Sequence, residues 1–262
     1  MADFIRFDRL LWGVGIFLNA GLIVLLLYRK NYRVFPFIFS YALLNLAQGF
    51  AILEFYRIWG FRSATAKELA WGTQGLVTFA RAMAVAEICY RILARYRGIW
   101  QLAWRLLVAV ATAIVLYALL VARANWAAGI LNMDRGLELA MATVIVLLFL
   151  FARYYEVDVE ATVLTLAIGF FLFSCFRVLD DTIFEHWFLG YREFWNRLGL
   201  LAFLASLMLW TWALRQTLPM TGEEPAMLSP SLYQRMTPEI NSRLKTLNEN
   251  LGKFWYARRN RT

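Results

Sequence analysis

The chain has 262 residues, is 61% hydrophobic and 17% aromatic, and carries a net charge of +9. A soluble domain is nearer half apolar. The apolar excess falls in seven long blocks, which sets a soluble domain aside and predicts an all-α, polytopic membrane protein: a seven-transmembrane-helix bundle. The cations gather between the blocks and in the tail, where anionic headgroups and orientation rules place them. Nucleic acid is therefore not expected as a partner, since it needs a basic face free of membrane.

The first block, Leu10 to Tyr28, is uncharged and of full-span length, and it is closed by Arg29, Lys30 and Arg33. A cleavable signal would be shorter and end in a small-residue cleavage site, so an uncleaved first helix is expected. The second block covers residues 35–56. Pro36 stands at its start, where a missing N–H costs nothing. Asn45, Gln48 and Glu54 follow along it. The third lies within the stretch from Trp71 to Arg97 and carries Gln74, Thr78, Arg81, Glu87 and Arg91. The fourth runs over about 106–121. The fifth runs over about 137–151, with Glu138 near one end and Arg153 at the other. The sixth, about 161–179, ends in Arg177, Asp180 and Asp181. The seventh, about 194–214, follows a loop with His186, Arg192 and Glu193.

Seven spans put the termini on opposite sides. The short-loop cations tie, and Arg215 with the tail tips the balance. The positive-inside rule then places the N-terminus outside and the C-terminus in the cytoplasm. The expected organisation is a transmembrane domain over 1–214, a Pro-, Ser- and Glu-containing linker over 215–236, and an amphipathic cytoplasmic tail helix over 237–262. Thr237, Pro238 and Glu239 form the start signal of that helix. Ile240, Leu244, Leu247, Leu251 and Phe254 recur at heptad spacing, a seam for a membrane-protein partner or for homo-oligomerisation. The ending FWYARRNR suits a lipid interface, so membrane lipids are expected partners.

Gln74, Thr78 and Arg81 are spaced by four and three and share one helical face. Arg81 lies eleven residues after Trp71, roughly 16 Å deep and so near mid-bilayer. Asn45 and Gln48 fall at similar depth, and Glu54 is the nearest acid in the neighbouring block, within reach if Arg81 snorkels outward. Two readings stand. One is a ligand-binding cavity that presents Arg81 to an anionic or polar group. The other is a structural arginine satisfied by side-chain amides and carbonyls. Glu87 and Arg91 form an i,i+4 pair with the acid first. That is a self-contained ion pair, with a proton-linked carboxylate as the alternative. Arg177, Asp180 and Asp181, with Glu54, His186, Glu193 and Arg197, form either an outward polar vestibule or a solvated helix end.

The lysines are Lys30, Lys67, Lys245 and Lys253, all outside the blocks. A retinal Schiff base needs an intramembrane amine, so a rhodopsin-type photoreceptor is not expected. One histidine, His186, does not supply multi-His zinc or bis-His haem. Cys89 and Cys175 lie inside apolar blocks and give no disulfide framework. Neither a Walker loop nor a dinucleotide fingerprint nor a GxSxG elbow occurs. No metal and no cofactor are predicted, and an enzyme is not the expected class.

Three segments, VFPFIFSYALLN, ARAMAVAEICYRIL and LAIGFFLFSCFRVLDD, together resemble a family of small seven-helix membrane proteins predicted in acidobacteria-like genomes. The resemblance covers roughly Tyr28 to Asp181. It implies a helical bundle in a bacterial inner membrane and carries no activity, ligand or catalytic residue. The expected function is a receptor- or sensor-like protein, or an accessory membrane-complex subunit, that binds a small amphipathic or anionic ligand or a membrane partner. A small-solute or lipid transporter is the alternative, with Glu54, Glu87 and Arg81 as coupling charges.

Overall fold

The computed structural model describes residues 2–60, 63–94, 97–123, 126–155, 157, 159–186 and 192–216. The linker beyond them and the tail seam from Ile240 to Phe254 lie outside the described residues. So do the side chains of Asp181, His186 and Glu193.

Seven helices make up the described chain: α1 (Ala2–Tyr28), α2 (Pro36–Trp59), α3 (Ala64–Leu93), α4 (Arg97–Ala122), α5 (Trp126–Tyr154), α6 (Ala161–His186) and α7 (Arg192–Ala213). Among the described residues, five segments are long and apolar enough to cross a membrane: Leu10–Tyr28, Pro36–Trp59, Gly98–Ala122, Ala128–Tyr154 and Ala161–Asp180. The apolar part of α7, Arg197–Ala213, is shorter. α3 is long enough but spends part of its length on Gln74, Arg81, Glu87 and Arg91.

Local signals fix the helix ends. Pro36 opens α2 at its first position, where its ring is preorganised and its absent N–H is not needed. Gly60 closes the same helix at φ 78°, and its N–H donates to the Tyr56 carbonyl at 3.0 Å. That left-handed backbone is open to glycine without a Cβ penalty. Ser63 then starts α3, its hydroxyl accepting the Ala66 N–H at 3.5 Å. Between α1 and α2 the chain makes one 3-10 turn, Asn31–Arg33, entered through Lys30 at φ 57°.

Neighbour relations define a ring of six helices in the order α1, α2, α3, α5, α6, α7, with α7 returning to α1. α4 stands outside the ring against α3 and α5, and α3 also reaches α6 across the interior. The chain therefore steps out of the ring for one helix and re-enters. α3 and α5 become neighbours even though α4 separates them in sequence.

α4 and α5 approach closely: a methyl on Gly129 would stand 2.8 Å from the Ala118 carbonyl oxygen. α6 and α7 do the same at Gly169, where a Cβ would meet the Trp210 ring at 2.5 Å. The apolar core fills the half of the ring toward the α1–α2 connection. It includes Leu22, Leu26, Ile88, Ile145, Leu166 and Leu207.

Candidate functional site: a buried ion-pair ladder

The polar residues midway along α3 face the interior, while Thr65 and Glu68 near its start are exposed. Thr78 and Arg81 are buried, with Ala84, Val85 and Ile88 continuing the same buried side. The 74–78–81 spacing is thus realised as one inward stripe. Gln48 of α2 is buried beside it and donates from Nε2 to the Gln74 Oε1 at 3.1 Å. Asn45 is half-buried one turn earlier on α2.

Two carboxylates of α5 answer this stripe. Glu138 forms an ion pair with Arg81. Asp134 accepts from the Thr78 hydroxyl, from Gln74 Nε2 at 3.4 Å, and from Arg177 Nη2 of α6 at 2.6 Å. Arg177 also faces Asp180, one turn along α6, at 3.7 Å. The ladder Asp180, Arg177, Asp134, Thr78 leads inward beside the Arg81–Glu138 pair and ties α3, α5 and α6 together. Gln48 adds α2.

Charge balance explains why these groups tolerate burial. Two guanidiniums meet two fully enclosed carboxylates. An isolated charge there would carry a desolvation cost of several kcal/mol. Aromatic rings complete the surroundings of Arg81: its guanidinium carbon lies 4.5 Å from the Phe173 ring centre and 5.5 Å from that of Tyr41. Rings present negative faces to a cation, and a desolvated contact of this kind contributes about 2 kcal/mol. Tyr41 and Phe170 pack in turn on Trp210, which is fully buried.

Exposure is graded along the ladder. Arg177 and Asp180 are 25% and 17% exposed, while Asp134 and Glu138 are 0%. The approach is from the end of the bundle where α2 finishes and α3 begins. Beyond Arg81, toward the opposite end, the interior turns aliphatic at Ala84, Ile88, Ile145 and Leu148.

The charges near that opposite end have different duties. Glu87 reaches across to the first turn of α2, and its Oε2 accepts the N–H groups of Phe37 and Ile38, each at 3.1 Å. α2 lacks a cap from its own N-cap residue, Phe35, so a carboxylate from α3 supplies it, with favourable sign for the helix dipole. Arg91 donates to the Val34 carbonyl and lies 5.0 Å from the Phe35 ring centre. Asn31 donates to the carbonyls of Leu214 and Gln216 at 3.0 and 2.9 Å and so closes the C-terminus of α7.

Glu54 is placed elsewhere. It is exposed on α2 and faces Arg57 one turn along at 3.4 Å. The acid that meets Arg81 is Glu138, and Asp134 belongs to the same cluster. Their signal in the sequence is an i,i+4 carboxylate pair inside a helix that begins at Trp126 rather than near Leu137. Asp134, Arg135 and Glu138 lower the local hydropathy and so shorten the apparent apolar block from within.

Comparison with protein-family models, with curated proteins and with solved structures finds no match to this chain.

Proposed function

We propose that the chain is a multi-pass, seven-span protein of a bacterial inner membrane, with the N-terminus outside and the C-terminus cytoplasmic, akin to the seven-helix family it resembles. It acts without catalysis, as a receptor- or sensor-type protein or an accessory subunit of a membrane complex. The supporting observation is the graded ion-pair ladder, part-exposed at Arg177 and Asp180 and fully enclosed at Asp134 and Glu138. An anionic group of a small amphipathic ligand entering at that end meets Arg177 first. To bind there it must displace a carboxylate, and that carboxylate is what ties α5 to α6. Ligand binding is thereby converted into a change in helix contacts, the differential interaction any ligand-driven switch requires. Gln48, Gln74, Thr78 and Arg81 form the deeper part of the site, with Asn45 beside it. The tail seam is the proposed relay or partner contact.

The test is titration of purified protein in lipid discs with a panel of fatty-acid and lysophospholipid anions. Wild type is compared with Arg177→Gln and with the paired Arg81→Gln/Glu138→Gln, which removes both charges together. Binding by wild type that weakens in both variants supports the reading. Equal binding by all three removes the ladder from the function.

A second reading, a small-solute or lipid transporter, draws on the division of the interior into a polar half and an aliphatic half. A site open toward one face and sealed toward the other is what alternating access needs. Proteoliposome flux that is absent under every imposed gradient would dismiss it.

A further inference from the structure

One transverse layer of the ring carries more polar atoms than the ion-pair ladder uses. Asn19 of α1 donates its amide to the Ala42 carbonyl of α2 at 3.2 Å, so α1 meets α2 at the turn that carries Tyr41. The Tyr41 ring centre lies 5.5 Å from the Arg81 guanidinium carbon of α3, and the Phe173 ring of α6 lies 4.5 Å from the same carbon. Glu138 of α5 pairs with Arg81. Ser174 adjoins Phe173 and is fully buried, on the stripe that also buries Ala167 and Phe170. Spacings of three and four place that stripe on one helix face. These contacts bring α1, α2, α3, α5 and α6 to one level.

Beyond the atoms that Arg81 and Glu138 turn on each other, Asn19 Oδ1, Tyr41 Oη, Arg81 Nε, Glu138 Oε2 and Ser174 Oγ have no hydrogen-bond partner among the described residues. All five side chains are at most 3% exposed. A buried polar atom left unpaired costs more than an ordinary hydrogen bond gains. Protein interiors answer such atoms with ordered water. Arg81 Nε only donates, Asn19 Oδ1 and Glu138 Oε2 only accept, and the two hydroxyls do either. A cation would face the guanidinium and an anion the carboxylate, whereas water donates and accepts and so fits the whole set. On the aliphatic side the layer is floored by rings: Phe170 and Trp210 stand 4.4 Å apart, and Tyr41 packs on both.

We propose that this layer is an internal water site, in which ordered water bridges Asn19 and Tyr41 to the Arg81–Glu138 pair and to Ser174. At about three hydrogen bonds per buried water, about two waters answer the orphaned atoms. Through them α1 joins a polar network that otherwise ties α2, α3, α5 and α6. The inference rests on the interior geometry of the ring and stands apart from the receptor and membrane readings.

The experiment uses the full chain in lipid discs. Brief X-ray radiolysis makes hydroxyl radicals in place from bound water, and mass spectrometry then reads oxidation of side chains that bulk radicals do not reach. Tyr41 and Phe173 should be oxidised several-fold more than Phe35, a ring buried beside the α1–α2 connection. The double variant Tyr41→Phe/Ser174→Ala removes both hydroxyls and keeps the ring packing. Oxidation of Phe173 should then fall several-fold with Phe35 unchanged. The melting temperature should fall as well, whereas removing hydroxyls that bind nothing would raise it. Wild-type Tyr41 and Phe173 oxidised no more than Phe35 overturn the proposal. So does a raised melting temperature, and so does undiminished Phe173 oxidation in a double variant that melts cooperatively, since these hydroxyls would then not hold the water. If the double variant does not fold, the wild-type comparison decides alone.

Discussion

Arg81 of α3 and Glu138 of α5 close on each other inside the ring, with the Phe173 ring against the guanidinium. Neither reaches bulk solvent. Replacing one partner strands the other, which costs about 3–5 kcal/mol, whereas replacing both with apolar residues of similar volume is often neutral or stabilising. Arg81→Met and Glu138→Met should each destabilise strongly, and the double variant should recover most of the loss. Unfolding of the purified variants in detergent checks this, and additive losses would contradict the pairing.

Arg177 should matter less for stability than Arg81. Its partner Asp134 keeps the Thr78 hydroxyl and the Gln74 amide when the guanidinium is removed. Arg177 is also part-exposed, so solvent screens some of the interaction. Arg177→Gln is expected to lower stability by about 1–2 kcal/mol, clearly less than Arg81→Met. The reverse order of melting temperatures would contradict the ladder's graded burial.

Glu87 is the cap of a helix it does not belong to. Glu87→Ala leaves the Phe37 and Ile38 N–H groups without their acceptor and should cost about 1–2 kcal/mol, as cap losses do. Glu87→Gln retains one acceptor and should cost less. Amide hydrogen exchange at Phe37 and Ile38 reads the effect directly, and protection unchanged in Glu87→Ala would refute it.

Asn31 closes α7 from the other side of the sequence. Asn31→Ala removes two hydrogen bonds to the Leu214 and Gln216 carbonyls just beyond the helix, about 1–3 kcal/mol. Asn31→Asp should be worse than Asn31→Ala, because a carboxylate then faces carbonyl oxygens at the negative end of a helix. Thermal melts of the two variants settle the order.

Gly169 is required by the Trp210 ring. A Cβ there would stand 2.5 Å from Nε1 and 2.8 Å from Cδ1, and Phe170, 4.4 Å away centre to centre, limits how far the ring can shift. Gly169→Ala is expected to cost about 1–3 kcal/mol as an overpacked contact and to change the fluorescence of Trp210. Pairing it with Trp210→Leu should return part of the stability.

The partner of Arg81 could not be reached by reading along the chain. Proximity in sequence favours Glu54, one block away, yet that side chain lies on the outer surface of α2. The reason is topological. α4 stands outside the ring, so α3 packs on α5, and carboxylates more than fifty residues downstream arrive beside Thr78 and Arg81. Hydropathy averaging compounds the difficulty, because Asp134 and Glu138 depress the signal of the helix that carries them.

What the sequence determined by itself was local. Apolar blocks and a start signal such as Pro36 dictate helices, since those preferences act within a few residues. The 74–78–81 stripe was legible because a helix repeats every 3.6 residues whatever it packs against. Only the tertiary structure decided which charges meet: Glu138 with Arg81, Arg177 with Asp134, Glu87 with the start of α2. Ion pairing depends on distance in space, and that distance was set by the order in which the helices close the ring.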